Sequence, residues 1–576
     1  MTAAATTPFA PPAPPALPDD DRVVGDTPSI GAPAALAAAA AAALLAACGG
    51  GGGDTASGGP DSDPQTTVPP TEPEAARFLG QAGFAASATD LTNVKTAGFS
   101  RWLDQQFDAP RTQSHYDWLV AKGKGAEANR YSLDGVDATL WRKLIASPDQ
   151  LRQRVVLALS EIFVVSMNGL PIAWPQFATA GYVDMLEERC FGTFRELIEG
   201  VTLSPAMGVY LAMRGNRKED AKTGRQPDEN YAREVMQLFT IGLNQLNADG
   251  TPKMVNGKTV DTYTLQQITD LARVFTGWDF DIDSADVNGL DFSYMKRPMR
   301  QNASRFSTGE KKVLDAVIPA TADGAAAMKM ALDTLSAHPN VGPFIGRQLI
   351  QRLVASNPSP AYVQRVAAVF DNNGKGVRGD LRAVIKAILL DTEARQRSTA
   401  PSGGKLREPL QRMIQWARTV GMSSPGDLWA IGDTSNPSSR LGQSPMRSGS
   451  VFNFFRPGYV PPNSQLGTNN VTAPEFQLCN ESTVAGYLNF MQGLIGNGIG
   501  DMKPDYAADL ALAADAPALV RRQAQLMAGG DISETTLTTI ATAVATIKSD
   551  TDANKLNRVK ASWLMVLAAP EYQVQK

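Results

Sequence analysis

Histidine is nearly absent from this 576-residue chain, which contains only His115 and His338. Zinc sites built from two or three histidines are therefore almost excluded, and any metal site would have to rely on carboxylates. No metal-binding motif stands out, so the sequence predicts no metal centre. No Gly-x-Ser-x-Gly elbow is present either, which argues against a covalent serine hydrolase. His115 has no chemically capable neighbours along the chain, and we expect it at the surface.

Cysteine and net charge are also low. Three cysteines speak against a disulfide framework. We expect Cys190 and Cys479 to be buried free thiols in a helical core, with pairing on oxidation as the alternative. Charged residues make up 19% of the chain and the net charge is −4, so no basic field points to nucleic acid.

The first 73 residues have the composition of a signal and a tether. Ala34–Ala47 is an almost pure alanine-leucine run, too short for a comfortable membrane span but suited to a signal-peptide core. It ends in Leu45-Ala46-Ala47-Cys48, which looks like the lipobox of bacterial lipoproteins. We therefore predict a signal segment over residues 1–48, acylation of Cys48, and a disordered Gly/Ser/Pro-rich tether over residues 49–73.

The basic start of an ordinary signal is missing from this segment. Arg22 is the only basic residue of the first thirty, which also hold four aspartates. This indicates a later translation start or an atypical signal. A plain disordered Ala/Gly linker is the alternative.

Beyond residue 74 the apolar residues recur at helical spacing. The clearest patterns predict helices over Ala75–Phe84, Phe99–Phe107, Val136–Ala146, Leu151–Val165, Ala180–Thr202, Val341–Ala355, Asp380–Asp391, Lys405–Val420, Ala473–Gly493 and Lys555–Ala569. Alternating runs are few, so we predict an all-α fold: one large, irregular multi-helix domain over residues 74–576. Long loops interrupt it, including Ser423–Gln465, and the weakly periodic Asp279–Ile318 could hold a small β-hairpin or an irregular lid.

The densest group of chemically capable side chains lies in Asp228–Phe239. On a helix, one face of this stretch carries the side chains of Glu229, Asn230, Arg233, Glu234 and Gln237. This face could be a pocket wall, in which Glu229 or Glu234 is a general base and Arg233 orients an anionic substrate. The alternative is a solvated or structural face, with Glu229 and Arg233 as an i,i+4 ion pair.

Four further candidates lie elsewhere in the chain. His338 could act as an acid or base, or its imidazole could cap a helix end. Lys311 and Arg347 lend local basic character that could meet a phosphate or a carboxylate. Arg456 belongs to the aromatic loop 449–462, which could stack on sugars or peptides or could anchor itself in the core.

Six short phrases carry a family resemblance: Arg77–Phe84, Leu151–Val155, Asp228–Glu234, Leu271–Trp278, His338–Ile345 and Ser450–Tyr459. They resemble the bacterial "domain of unknown function 1800" family over about residues 75–570. The resemblance implies a helical, exported protein whose gene tends to lie beside that of an alkaline-phosphatase-like protein. It implies no established activity. The family pattern has histidines where Ser204 and Phe306 stand here, which argues for a binding role in this chain.

Together these features predict an exported, lipid-anchored protein of the cell envelope with a binding or assembly role. The expected partners are the membrane, through the lipid on Cys48, and an alkaline-phosphatase-like envelope protein. The alternative is a carboxylate-based envelope hydrolase with Glu229, Glu234 and His338 as catalytic residues. In either case the candidate binding residues are Asn230, Arg233, Lys311, Arg347 and Arg456.

Overall fold

The computed structural model describes residues 69–282 and 289–576. The predicted signal segment, Cys48 and most of the predicted tether therefore lie outside the described residues. All the described residues fall within the unit Asp63–Lys576.

Helices make up 52% of the described residues and confirm the predicted all-α class. The α-helices of the described residues are α1 Glu72–Ala82, α2 Ala88–Ala97, α3 Phe99–Asp108, α4 His115–Ala121, α5 Val136–Ala146, α6 Gln150–Ser160, α7 Pro175–Arg189, α8 Phe194–Leu203, α9 Pro205–Tyr210, α10 Asn230–Gln237, α11 Leu265–Val274, α12 Gly324–Ala337, α13 Val341–Leu353, α14 Pro360–Asp371, α15 Leu381–Leu390, α16 Thr392–Arg395, α17 Pro409–Thr419, α18 Gln465–Thr468, α19 Glu481–Asn497, α20 Ala507–Leu510, α21 Ala516–Ala528, α22 Glu534–Ala545, α23 Asp552–Ala568 and α24 Pro570–Gln573. Short 3-10 helices include Pro474–Leu478.

The described strands are very short and form four antiparallel pairs. They are β1 Met254–Val255 with β2 Lys258–Thr259, β3 Trp278–Asp279 with β4 Arg300–Gln301, β5 Lys311–Val313 with β6 Ala316–Ile318, and β7 Lys405–Leu406 with β8 Val574–Gln575. The β5–β6 hairpin lies within the segment Asp279–Ile318, where a hairpin was one of the two predicted forms.

Helix α6 lies at the centre of the domain. Every residue from Gln150 to Leu159 is buried, and the helix packs against α1, α3, α5, α7 and α13. Its apolar side chains supply the usual hydrophobic stabilisation, about 1.5–3 kcal/mol for each large one. Gln153, Arg154 and Glu161, which lies just past the helix end, are buried with them. Buried polar groups need partners, so α6 brings charged side chains together inside the protein.

The C-terminal residues of the chain pair with a segment from its middle. Lys405 pairs with Gln575 and Leu406 with Val574, in an antiparallel register. This pairing holds α24 beside the start of α17. Helices α19 and α23 pack against each other next to them, and the gap between these elements becomes a groove.

The predicted helix Ala180–Thr202 is wrong as a single element, because it divides into α7 and α8. Thr193 ends the continuity: its side chain accepts a hydrogen bond from the Glu196 N–H, and the Glu196 side chain accepts one back from the Thr193 N–H. This capping box starts a new helix. A break is therefore favoured even though the apolar pattern runs on.

Two of the scarce residues also differ from expectation. His115 is only 1% exposed, so the surface location predicted for it is wrong. Cys190 is a buried free thiol as predicted, whereas Cys479 is free but exposed. None of the helices in the described ranges combines the length and apolar character that a membrane crossing requires.

Candidate functional site

The polar face predicted for Asp228–Phe239 carries a local ion pair. Helix α10 begins only at Asn230, which is exposed, and Glu229 immediately precedes it. The Glu229 carboxylate lies 3.2 Å from the Arg233 guanidinium and accepts a 2.7 Å hydrogen bond from the Thr269 hydroxyl. The Arg233 and Glu229 side chains are 42% and 33% exposed. This is the i,i+4 pair of the structural alternative, at a half-exposed face.

Glu234 is the most unusual group on that face. Burial raises the pKa of its carboxyl, and the Arg233 charge opposes the rise only in part. Within the described residues its Oε2 atom is buried without a hydrogen bond, and so is the Tyr263 hydroxyl. A carboxyl with a raised pKa is suited to proton transfer, but it needs a second group nearby.

His338 does not supply that second group. It follows α12, and its Nδ1 accepts a 3.1 Å hydrogen bond from the Asn340 N–H. Burial lowers its pKa. Among the described residues, no hydrogen bond or ion pair connects His338 with Glu229 or Glu234. His338 lies in the short link between α12 and α13, and its imidazole hydrogen-bonds the backbone of that link.

The remaining predicted binding residues stand apart from one another. Lys311 is buried on β5, where its ammonium donates a 2.8 Å hydrogen bond to the Gly309 carbonyl, and burial lowers its pKa to about 8. Arg347 on α13 is half-buried and forms no ion pair within the described residues, and burial lowers its pKa too. Arg456 is exposed and stacks on Phe452 at 4.7 Å. No ion pair of the described chain joins these three cations.

A first buried polar cluster surrounds His115. Its Nδ1 lies 3.1 Å from the Thr139 hydroxyl, and its Nε2 lies 3.3 Å from the Glu187 carboxylate. Gln153 donates a 3.0 Å hydrogen bond to the same carboxylate, and the Lys143 ammonium contacts it directly. Burial alone would raise the pKa of Glu187, but His115 and Lys143 together hold it at about 2.

This cluster includes side chains of the types that bind metal ions. His115, Asp184 and Glu187 offer ligand atoms that lie within 4.8 Å of one another. The Asp184 oxygens already accept hydrogen bonds from the backbone N–H groups of His115 (2.8 Å) and Tyr116 (2.9 Å). The Lys143 ammonium already forms an ion pair with the Glu187 carboxylate, where a metal cation would have to bind. These contacts describe an ion-pair network at the start of α4.

A second buried cluster lies beyond the other end of α6. The Glu161 and Glu408 carboxyl groups hydrogen-bond to each other. Arg352 lies 3.2 Å from Glu161, and Lys405 lies 3.1 Å from Glu408. Burial and then the Glu408 charge raise the pKa of Glu161. At Glu408 burial acts to raise the pKa, but the charges of Lys405 and Arg352 stabilise the carboxylate. The pKa of Glu408 is therefore lowered. These opposite shifts favour a shared proton on Glu161 rather than on Glu408.

A cavity of about 10 Å³ adjoins Glu161. Ser448, Asn453 and Phe454 line it as well, and it has room for about one water molecule. In the described chain, the Ser448 hydroxyl and the Asn453 side-chain amide are buried here without hydrogen bonds. Met446 and Asn453 both have φ near +60°, a conformation that costs free energy outside glycine. The cavity is polar but closed.

An open groove of about 310 Å³ lies between β7, α17, the 3-10 helix Pro474–Leu478, α19 and the C-terminal elements. Its walls are mostly apolar, with Leu406, Pro409, Leu478, Val484, Leu488, Ala568, Pro570 and Val574. Exposed Cys479 also lines it. Small-molecule sites have this size and composition.

Four of the lining side chains are polar and buried: Arg412, Glu475, Thr483 and Tyr487. The Arg412 guanidinium lies 4.0 Å from the centroid of the Tyr487 ring and contacts the Gln573 side chain. Across the described residues, neither the Nε of Arg412 nor the Tyr487 hydroxyl makes a hydrogen bond of normal geometry. Two hydrogen-bond donors are therefore available inside an otherwise apolar groove.

Sequence reasoning selected the aromatic loop 449–462, which contributes Asn453 and Phe454 to the small cavity, but it missed the role of Glu161 and the groove around Arg412 and Tyr487. Glu161 did leave a signal, since it stands in the apolar run Val155–Val165, and an acid inside such a run must be paired or protonated. No sequence signal marks Arg412 and Tyr487, because the groove is formed by segments that lie far apart in the chain.

The fold and the groove define an all-α protein with an open, mostly apolar groove of ligand size. The chain belongs to the family described as "Protein of unknown function (DUF1800)", whose model matches residues 77–574. This match confirms the resemblance of the six phrases. No curated protein and no solved structure matches the chain.

Proposed function

We propose that this chain is an exported, lipid-anchored binding protein of the cell envelope, with the groove as its ligand site. The observation that carries the proposal is the groove itself: about 310 Å³, apolar walls, and two buried donors inside. Ligand sites combine apolar lining with a few convergent polar groups. The candidate catalytic residues fit a binding role better than catalysis, because Glu229 is paired at the surface and His338 is engaged elsewhere.

Occupancy of the groove can be measured through Cys479. Alkylation of an exposed thiol slows when a ligand covers it, whereas the buried Cys190 reacts only if the protein unfolds. We expect 1-octanol, a neutral apolar probe, to slow alkylation of Cys479 in the purified full-length protein. The rate is read for each cysteine separately by mass spectrometry of its peptide.

A matched pair of variants locates the effect. Val484 in the groove and Val120 on α4 are 48% and 46% exposed, so neither substitution disturbs the core. Val484→Trp fills the groove and should abolish protection by 1-octanol, while Val120→Trp should leave it intact. Equal protection in both variants would mean that the probe binds somewhere else, and the binding role of the groove would be lost.

Export and anchoring rest on the Ala/Leu run and the lipobox. Each buried methylene of an acyl chain adds about 0.8 kcal/mol of membrane affinity, so a multiply acylated Cys48 would hold firmly. Mass spectrometry of the native N-terminus should find an acylated Cys48 as the first residue. An unmodified peptide that runs through Cys48 would refute the lipid anchor.

The proposed partner is an alkaline-phosphatase-like envelope protein, which the family resemblance suggests. Reciprocal co-purification from solubilised envelopes tests this pairing. We expect each protein to bring down the other when either one carries the tag. Failure in both directions would remove the partner from the proposal.

A second candidate function is a carboxylate-based hydrolase at Glu161 and Glu408 in place of Glu229, Glu234 and His338. It is favoured by the position of Glu161, whose pKa is raised as a general acid requires, beside room for one water. A substrate could enter only if the loop 449–462 moved. A stable Glu161→Gln protein that keeps full activity on a substrate of the wild type would exclude this candidate.

A further inference from the structure

The geometry points to an aliphatic carboxylate as the ligand of the groove: an unbranched, fatty-acid-like anion with its head at Arg412 and Tyr487. This inference rests on the proposed function, because it presumes that the groove is a ligand site. It goes further in naming the chemical class of the ligand and the two side chains that recognise it.

The first support is an uncompensated cation. Arg412 is only 8% exposed, and the described residues place no carboxylate within ion-pair distance of it. Glu475 also lines the groove, but its carboxylate is occupied by the Lys405 ammonium at 2.7 Å and the Ser356 hydroxyl at 2.7 Å. A buried charge without a partner is unfavourable. A ligand anion would supply the missing charge.

The second support is the pair of unused donors. The Tyr487 oxygen lies within reach of the Arg412 guanidinium as an acceptor, but neither the Nε–H of Arg412 nor the O–H of Tyr487 has an acceptor of its own within the described chain. The contact between the guanidinium and the tyrosine ring keeps them side by side. A carboxylate has two oxygens that accept such bonds, and charge-assisted bonds to arginine are about twice as strong as neutral ones. An alcohol offers no negative charge, and an ammonium would meet Arg412 as a like charge.

The third support is the shape of the remaining space. Leu478, Val484 and Leu488 line the groove with apolar side chains. A volume of about 310 Å³ lies at the lower end of the range of small-molecule sites, about 300–1,000 Å³, and suits a short ligand. A carboxylate with a tail of about eight carbons fits this volume.

The test compares three eight-carbon probes in the alkylation assay of Cys479 on the full-length protein: octanoate, 1-octanol and octylammonium. We expect octanoate to give half-maximal protection at a concentration at least tenfold below that of 1-octanol, with octylammonium weakest. Tyr487→Phe and Arg412→Gln should each reduce the preference for octanoate over 1-octanol severalfold. Tyr362→Phe, which removes a buried hydroxyl from α14, is the control and should keep it.

The possible failures separate the two levels of the proposal. If 1-octanol protects as well as octanoate, the groove stays a ligand site but the carboxylate inference is overturned. Stronger protection by octylammonium overturns it as well. If no probe protects Cys479, both the inference and the binding function fail. Should Arg412→Gln expose Cys190 to alkylation, that variant is unfolded, and Tyr487→Phe alone decides.

Discussion

The guanidinium carbon of Arg412 lies 4.0 Å from the centroid of the Tyr487 ring, on the inner side of an apolar groove. Both side chains are buried, and the described residues give neither the Arg412 Nε nor the Tyr487 hydroxyl a hydrogen bond of normal geometry. Polar groups left in this state cost stability. A protein keeps such a cost where the groups serve a ligand.

Removal of the Tyr487 hydroxyl should therefore not destabilise the ligand-free protein. We predict that Tyr487→Phe leaves the free energy of unfolding within about 0.5 kcal/mol of the wild type or raises it. Tyr362→Phe is the matched control, because the Tyr362 hydroxyl donates a 2.6 Å hydrogen bond to the Ile388 carbonyl. It should lower the free energy of unfolding by about 1 kcal/mol. Urea titrations compare the two, and equal losses would mean that Tyr487 has a structural partner.

The two members of the buried acid pair should respond differently to neutralisation. The raised pKa of Glu161 favours its neutral form, so Glu161→Gln should change the free energy of unfolding at pH 7 by less than about 1 kcal/mol. Glu408→Gln removes one of the two carboxylates that contact Lys405, the other being Glu475, and should cost more, up to about 3 kcal/mol. Thermal and urea unfolding measure both. A greater loss in Glu161→Gln than in Glu408→Gln would reverse the assignment of the proton.

Glu187 should make the protein sensitive to acid. Its pKa in the folded protein is about 2, below the ordinary value of 4.5, so its stabilising effect is complete above pH 4.5 and is lost as pH falls towards 2. The loss amounts to about 3 kcal/mol from this group. Urea titrations between pH 6 and pH 2 should show the decline. The exposed neighbour provides the control: Glu188→Gln should keep the pH profile, and Glu187→Gln should flatten it.

The surface pair on α10 should contribute little. Glu229 and Arg233 are both about a third or more exposed, and exposed i,i+4 pairs stabilise by about 0.3–0.5 kcal/mol at most. We predict that Glu229→Gln lowers the free energy of unfolding by less than about 0.5 kcal/mol and that 1 M salt removes the difference. A loss of several kcal/mol would show that Glu229 belongs to a buried network instead.

Much of the helical framework was predictable from local signals. Helix α5 has the predicted bounds Val136–Ala146, with Gly135 at φ +88° before it and Pro148 soon after. The β5–β6 hairpin could also be anticipated, because the helical periodicity of apolar residues weakens over Asp279–Ile318. Local patterns gave less at Ala180–Thr202, where the capping box of Thr193 and Glu196 overrides a continuous apolar stripe.

The sites were harder to predict because their residues meet only in the fold. His115 has no polar neighbour in sequence that explains its burial, since Thr139 and Glu187 come from later helices. The groove combines β7, α17, α19 and the last residues of the chain. No motif spans such distances. The polar face of α10 could be predicted from the sequence. A sequence pattern does not show whether charged side chains from different segments meet in one site.

A crystal structure of the full-length protein grown with 8-bromooctanoate is the most direct test of the groove as a ligand site. Anomalous scattering locates the bromine without any assumption about the ligand. We predict bromine density between Leu478, Val484 and Leu488, with the carboxylate at Arg412 and Tyr487. Bromine at another place in a structure whose groove stays empty would contradict the binding function.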